Sequence, residues 1–573
     1  MDFSDISADG QWLLAVVSNP GPSTGRTDVM PRFVTQSGYV EAEDVRRLVG
    51  RNANEPQQLW LLDLTNRARY PIDLTTLSGL SEDPLADLKA VESIEPHSEE
   101  DPRPLRVIGL DWHPEHNTAA IMLRAIDNKD RWLVTLDTTD RKLVERHRLT
   151  DAAWINWSFN QFGWIPGQAA TPALWLLSEQ TGYSHLYTID LARNRLRQRT
   201  DGDFEVFDIQ WSLDGRTVWM LSNRSHPTEY DLYRLTSTDR NMQRLTELRG
   251  LESYQLHPLT QQVAIRFSRS YLPAQAGVLD AGHQQLMVQT DTRTDNYRAI
   301  EWQLPQIVGI ESKHGAERAI WSKFYPARDH LAPDQLRPAV LFVHGAGYLQ
   351  NTHHRYPAYF REQMFHNLLT AKGYHVLDMD FRASRGYGRD WRTAIYRQMG
   401  TPELEDLLDG VQWLVDQHNV DPARIGVYGG SYGGFMAFMA MFKAPKVFAA
   451  GAALRPVTDW THYNHGYTSN ILNTPQIDPE AYRRSSPIEF AEHLEGHLLI
   501  SHGMLDDNVF YKDSVRLAQR LIELEKEHWE LASYPMEPHG YIQPSSWLDQ
   551  YRRILSLFET TIGPAHSSPQ PAR

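Results

Sequence analysis

Gly429-Gly430-Ser431-Tyr432-Gly433-Gly434 sets one serine hydroxyl between pairs of glycines. Residues 424–428 upstream are short and apolar, as a central strand would be, and residues 435–441 downstream form a continuous apolar run compatible with a buried helix. G-x-S-x-G at a strand-to-helix turn is a nucleophile elbow, in which glycines permit a bend sharp enough to lift the hydroxyl clear of the sheet. A serine hydroxyl is a poor nucleophile until a base takes its proton, and the base needs a third group to orient it. On this kind of scaffold the partners follow in the order Ser, Asp or Glu, His. Residues 498–501 predict another buried strand, running into the turn His502-Gly503-Met504-Leu505-Asp506-Asp507-Asn508-Val509. Asp506 is the expected acid, with Asp507 as its competitor. Residues 535–540 form a loop carrying His539, ahead of an amphipathic helix with Trp547, Leu548, Tyr551, Ile554, Leu555 and Phe558 at three- and four-residue spacings. The expected triad is Ser431, Asp506 and His539.

Acyl transfer also needs donors for the developing oxyanion. The backbone N–H of Tyr432 is one, as the residue after the nucleophile. The predicted strand 339–343 leads into His344-Gly345-Ala346-Gly347, so Gly345 or Ala346 is expected to supply the second. With these motifs in place, residues 305–562 resemble the catalytic domain of the prolyl oligopeptidase family of serine peptidases, in its dipeptidyl peptidase IV-like branch. The matching stretches are 429–434, 502–509, Pro538-His539-Gly540 and Arg382-Ala383-Ser384-Arg385-Gly386-Tyr387-Gly388. The resemblance implies the same Ser, Asp and His. It also implies an S1 pocket built from Val457, Trp460, Tyr463 and Tyr467, completed by Tyr432, Asn508 and Val509. A small pocket walled by aromatic faces suits proline, which is compact, apolar and lacks a backbone donor. A place in the domain core is the other reading of these aromatic residues.

Two departures from the branch stand out. Its paired glutamates, which anchor a substrate's amino terminus, have no counterpart in Asp151-Ala152-Ala153-Trp154-Ile155-Asn156-Trp157. Glu99-Glu100 reads as a surface loop. The acidic run at residues 38–44 reads as a short helix inserted in the propeller and aimed at the cleft, with a solvated surface helix as the alternative; Glu41, Glu43 and Glu205 are therefore the candidate anchors. In addition, His344 stands where the branch has an oxyanion-donating tyrosine, a feature similar to the acylaminoacyl-peptidase branch.

The elements that must position these groups occupy a chain of 573 residues, too long for one ordinary core. Residues 1–300 read as an all-β propeller with about six recognisable blades. Strand-turn patterns recur at Leu110-Asp111-Trp112, Phe162-Gly163-Trp164, Ile209-Gln210-Trp211 and Tyr254-Gln255-Leu256, a period in the forties to low fifties that suits four-stranded blades. An irregular β-sandwich is the alternative. Residues 305–562 read as an α/β-hydrolase, a doubly wound and mostly parallel sheet, and 563–573 as a disordered tail. The first residues read as the middle of a blade, which suggests an amino-terminally incomplete propeller.

A net charge of −15 argues against nucleic acid, and the lack of any apolar run near 18 residues argues against a membrane span. With no cysteine there is no disulfide, thiolate metal site or cysteine nucleophile, and no zinc motif is present; His493 and His497 read as a surface turn. No cofactor is expected. Short peptides are the expected partners, with neither nucleic acid nor membrane, and a homodimer is a further open expectation. Without a signal peptide the expected location is cytoplasmic, or periplasmic if the amino terminus is incomplete. The leading functional expectation is a serine peptidase cleaving short peptides after proline or alanine near the amino terminus. The alternatives are an acylaminoacyl-peptidase or esterase of the same fold, and a catalytically inactive propeller-bearing interaction protein.

Overall fold

The computed structural model describes residues 2–18, 27–51, 57–168, 170–239, 241–280, 282, 285–328 and 335–563. Residues 564–573, most of the expected disordered tail, lie outside them. Five four-stranded antiparallel sheets follow one another from Phe3 to Val288, each a simple meander. The four recurring strand-turn patterns open the second to fifth sheets, as Leu105–Trp112, Phe162–Trp164, Val206–Trp211 and Leu251–Leu256. The inner strands of the middle sheets are apolar on both faces because each of those sheets packs between two others. In Thr118–Ala125, for instance, Ala119, Ile121 and Leu123 join the cluster shared with the first sheet, while Ala120 and Met122 join the cluster shared with the third. This face-to-face succession is the packing of a β-propeller. About six blades were expected from the sequence; among the described residues there are five four-stranded sheets and a two-stranded ribbon, Asp28–Arg32 with Glu41–Val45.

That ribbon corrects one expectation. The acidic run at 38–44 is not a helix: Glu41 to Val45 pair antiparallel with Arg32 to Asp28. Beyond it the chain turns onto the carboxyl-terminal half, where Val49 N–H donates to Tyr463 O (2.9 Å) and Arg46 Nη1 donates to Asp507 O (2.5 Å).

The carboxyl-terminal half is built on an eight-stranded sheet. Its strands are β1 (Gln306–Ile310), β2 (Ile320–Tyr325), β3 (Arg337–Val343), β4 (His375–Met379), β5 (Val420–Gly430), β6 (Ala450–Leu454), β7 (His497–Gly503) and β8 (Trp529–Tyr534). The order is β1-β2-β4-β3-β5-β6-β7-β8, with β1, β2 and β4 paired antiparallel and the remainder parallel. Its central strands are buried on both sides, since alternate residues enter two separate clusters: Leu341 and Val343 one, Val340 and Phe342 the other. The helix Tyr432–Lys443 follows β5 and is buried along nearly its whole length. This is an α/β-hydrolase fold, which delivers the loops after its parallel strands to one edge of the sheet. Among the described residues no helix is long and apolar enough to cross a membrane.

Candidate active site

β5 ends at Gly430, and Ser431 follows with φ 61° and ψ −116°, a left-handed backbone that side-chain-bearing residues rarely adopt. The turn is possible because two neighbours lack a side chain. A Cβ on Gly429 would lie 2.3 Å from Val343 O, and one on Gly433 only 1.9 Å from the same atom. The helix therefore starts pressed against β3, with the Ser431 hydroxyl above the sheet edge.

The three residues expected to act together are within hydrogen-bond reach. The Ser431 hydroxyl lies 3.0 Å from His539 Nε2, and His539 Nδ1 donates to Asp506 Oδ2 at 2.7 Å. An ionised carboxylate only accepts, so Asp506 holds the proton on Nδ1 and leaves Nε2 free to accept from serine. Asp506 is fully buried, and its other oxygen accepts from Asn508 N–H (2.9 Å) and Val509 N–H (2.8 Å). His502 Nε2 donates to Val509 O (2.9 Å) and lies 3.3 Å from Asp506 Oδ2, while its Nδ1 accepts from Ser514. Burial alone would push the Asp506 carboxyl up; the hydrogen bonds from His502 and His539 outweigh it and hold the group below the usual carboxylate range. His539 is displaced the other way: burial lowers it, opposed by Asp506 and assisted by Arg455. The shift favours the neutral imidazole. Asp507, the competing acid, is exposed and meets Arg46 through its backbone carbonyl.

A cavity of about 330 Å³ opens over Ser431 and has two sides. One is aromatic. Trp460 lies over Tyr467 with centroids 6.0 Å apart and nearly parallel, and the Tyr463 edge meets both rings at 5.4 and 5.6 Å. Tyr432 and Val457 close this side, and the Tyr463 hydroxyl donates to Asn508 Oδ1 at 2.7 Å. Of the residues expected in the S1 pocket, Val457, Trp460, Tyr463, Tyr467 and Asn508 line the cavity. Val509 lies behind it in the core. The distinction between pocket and core is not sharp, because Trp460 is only 1% exposed and belongs to both. The opposite side is formed by Ala346, Tyr359, Arg455 and Gly540.

The two candidate sources of a second oxyanion donor are separated by the structure. Ala346 lines the cavity, whereas Gly345 N–H already donates to the Tyr359 hydroxyl (2.7 Å). Tyr432 N–H lies in the first turn of its helix, where backbone donors have no intrahelical acceptor. His344 faces the interior. Its Nδ1 donates to Gly345 O, its Nε2 accepts from Ser384, and burial pushes it down to about 4.

None of the carboxylates considered as an amino-terminus anchor lines the cavity. Glu41 and Glu43 are exposed on the ribbon, Glu43 paired with Arg32. Glu99 and Glu100 are exposed as well. Glu205 is 2% exposed, its Oε1 accepts from Gly388 N–H (3.3 Å) between the two halves, and burial pushes it up to about 7. The segment 151–157 approaches the site through Trp157, whose ring meets Tyr348 edge-on at 4.7 Å; Tyr348 in turn contacts Tyr467 at 5.3 Å. Three residues near the cavity were missed in the sequence: Tyr359, Arg455 and Arg46. The Arg46 guanidinium sits 5.0 Å over the Tyr463 ring and 4.5 Å over Phe510, and also donates to Asn508 O. A lone arginine closing the otherwise apolar β6 was the one available hint of Arg455.

Comparison with known proteins agrees with this architecture. Residues 360–565 match the prolyl oligopeptidase family, and residues 83–274 match the dipeptidyl peptidase IV (DPP IV) N-terminal region. Dipeptidyl peptidase 8 of Mus musculus is 31% identical over 265 residues, 45% of this chain and 29% of that protein. Dipeptidyl-aminopeptidase B of Aspergillus niger is 26% identical over 408 residues, 65% of this chain and 43% of that protein. The chain thus spans less than half the length of either relative. The crystal structure of Porphyromonas gingivalis dipeptidyl peptidase 4 superposes with a TM-score of 0.81 at 20% identity, covering 97% of this chain and 74% of that one; at such identity the likeness is one of fold. Residues 360–565 thus carry the match to the prolyl oligopeptidase family, and residues 83–274 the match to a dipeptidyl peptidase IV-like amino-terminal region.

Proposed function

We propose that this chain is a serine peptidase of the prolyl oligopeptidase family that cleaves short peptides after proline or alanine near the amino terminus. The observation that carries the reading is the hydrogen-bonded chain Ser431–His539–Asp506 at the floor of an aromatic cavity. Ser431 Oγ attacks the scissile carbonyl as His539 Nε2 takes its proton. Asp506 stabilises the resulting imidazolium, and the Tyr432 and Ala346 N–H groups face the oxyanion. His539 returns the proton to the departing amine, and water then cleaves the acyl-enzyme by the same steps in reverse. Val457, Trp460, Tyr463 and Tyr467 take the proline ring, with Tyr432 and Asn508 at its rim. Names among the relatives support dipeptide release for this chain too.

One observation favours the acylaminoacyl-peptidase or esterase reading. Among the described residues the cavity lining holds no carboxylate, and the segment nearest the aromatic side presents Trp157. A free ammonium held there would lack a counter-charge, whereas a blocked amino terminus would not need one. Products from proline-containing peptides with free and acetylated amino termini, analysed by mass spectrometry, separate the two. Cleavage of free peptides alone supports dipeptide release, and equal cleavage of acetylated ones removes it. Ser431→Ala is expected to abolish activity in a folded protein; full peptidase activity in that variant would sink the reading altogether.

A further inference from the structure

Arg455 closes β6 in a left-handed backbone conformation, with φ 41°. Its side chain lines the cavity beside Ser431 and His539, and Arg455 is 7% exposed. Nη1 has no hydrogen-bond partner, and among the described residues the guanidinium forms no ion pair. Fully charged groups are seldom left this way, because desolvation without a counter-charge is costly. The buried acid that feels Arg455, Glu362, is itself pushed up by burial, with Arg455 pulling it back only in part. Among the described residues Glu362 forms no ion pair with it. The guanidinium instead rests near the Trp547 ring, 5.8 Å from its centroid.

The position of this cation across the nucleophile gives it a direction. Trp460 and Val457 belong to the core cluster on one face of the sheet, while Tyr359 and Trp547 pack against the cluster on the other. An acyl group seated among the aromatic rings places the departing amine toward the second side, where His539 delivers its proton. We propose that Arg455 forms an anion subsite on the leaving-group side of Ser431, taking the free α-carboxylate of the amino acid that immediately follows the cleaved bond. This inference rests on the peptidase reading above. The carboxyl carbon of that amino acid is two bonds from the departing nitrogen, so a carboxylate one residue further along lies about 3.5 Å too far. The favoured substrates are accordingly very short peptides whose leaving group is a single free amino acid. Arginine suits the task, since its planar fork matches a carboxylate with two parallel hydrogen bonds.

The test compares Ala-Pro-Ala carrying a free carboxyl terminus with its carboxyl-terminal amide, in whichever amino-terminal form, free or acetylated, the enzyme accepts. The wild-type protein is expected to favour the free acid by about tenfold to a hundredfold in kcat/KM. Ala-Pro-Ala-Ala is expected to lose that preference. Arg455→Met should bring the acid-to-amide ratio close to one, and Arg455→Lys should keep part of it. Fluorophosphonate labelling of Ser431 reports whether each variant is folded. Equal efficiency of acid and amide with the wild-type protein overturns the subsite and leaves the peptidase reading standing; cleavage of neither overturns both. Equal loss on acid and amide in Arg455→Met would make the side chain a packing element of the elbow and also overturn the subsite.

Discussion

Asp506→Asn is a sharp test of the proposed catalytic chain, because the structure prescribes what the substitution leaves behind. The buried carboxylate accepts from Asn508 N–H and Val509 N–H on one oxygen, and faces His539 Nδ1 and His502 Nε2 on the other. Asparagine keeps one acceptor, which the two backbone donors claim. Its amide –NH₂ then points at two imidazole N–H groups. His502 retains Val509 O as an acceptor, but His539 has no such alternative. It must shift its proton to Nε2, the nitrogen facing Ser431, where it can no longer receive the serine proton. A triad base locked in the wrong tautomer loses about 10⁴-fold in kcat, equivalent to roughly 5.5 kcal/mol of barrier. Asp506 does not line the cavity, so KM for a proline anilide should change little. The fold should lose only about 1–3 kcal/mol, the cost of imperfectly paired buried donors. The assay is steady-state hydrolysis of a Gly-Pro anilide, with a thermal melt to verify folding. A kcat loss below tenfold in a folded variant would refute the orientation argument and transfer the acid's role elsewhere.

Other consequences can be measured directly. Because burial lowers His539, the acid limb of kcat/KM should fall at a pH below the ordinary histidine value of 6.5, with activity present above that pKa and lost as pH drops through it; a pH-rate profile reads this. Trp460→Ala and Tyr463→Ala should reduce cleavage after proline about ten- to a hundredfold more than reaction with a small acyl ester. Trp460→Ala should also lower the melting temperature, since that ring is core as well as pocket. Glu205 has a folded-state pKa raised to about 7 from 4.5, so its contribution to stability is most favourable below 4.5 and is lost progressively as pH rises to about 7. Glu205→Gln, which keeps the Gly388 contact, should therefore raise the thermal midpoint above neutral pH and change it little in acid.

Legibility in the sequence followed locality. The elbow could be read because strand, serine and helix are contiguous, and the glycines betray a turn whose necessity appears only in the 1.9 Å that a Cβ on Gly433 would leave to Val343 O. The apolar runs that became β3, β5 and β7 could be read because both faces of each are buried. The acidic run at 38–44 was misread as helical because its partner, Asp28–Arg32, lies across a turn and carries a proline, so no local period announced the pairing. Gly345 and Ala346 looked equivalent until Tyr359, from another loop, engaged one of them. Arg455 and Arg46 were not legible for the same reason. Each is a single cation whose meaning depends on residues distant in the chain.

Arg46 also bears on the order in which the molecule is assembled. The hydrogen bond from its Nη1 to Asp507 O spans 461 residues, and Val49 holds Tyr463 from a comparable distance. A chain emerging from the ribosome completes its amino-terminal sheets long before the loop at 506–509 exists, and contacts of such separation are among the last to close. The catalytic sheet can form from its own strands, with Ser431, His539 and Asp506 in register. The braces on Tyr463 and Asn508 wait until that sheet docks against the finished propeller. On the proposed reading, a half-made molecule carries its nucleophile before the specificity pocket is braced, and selectivity is the last property to be completed.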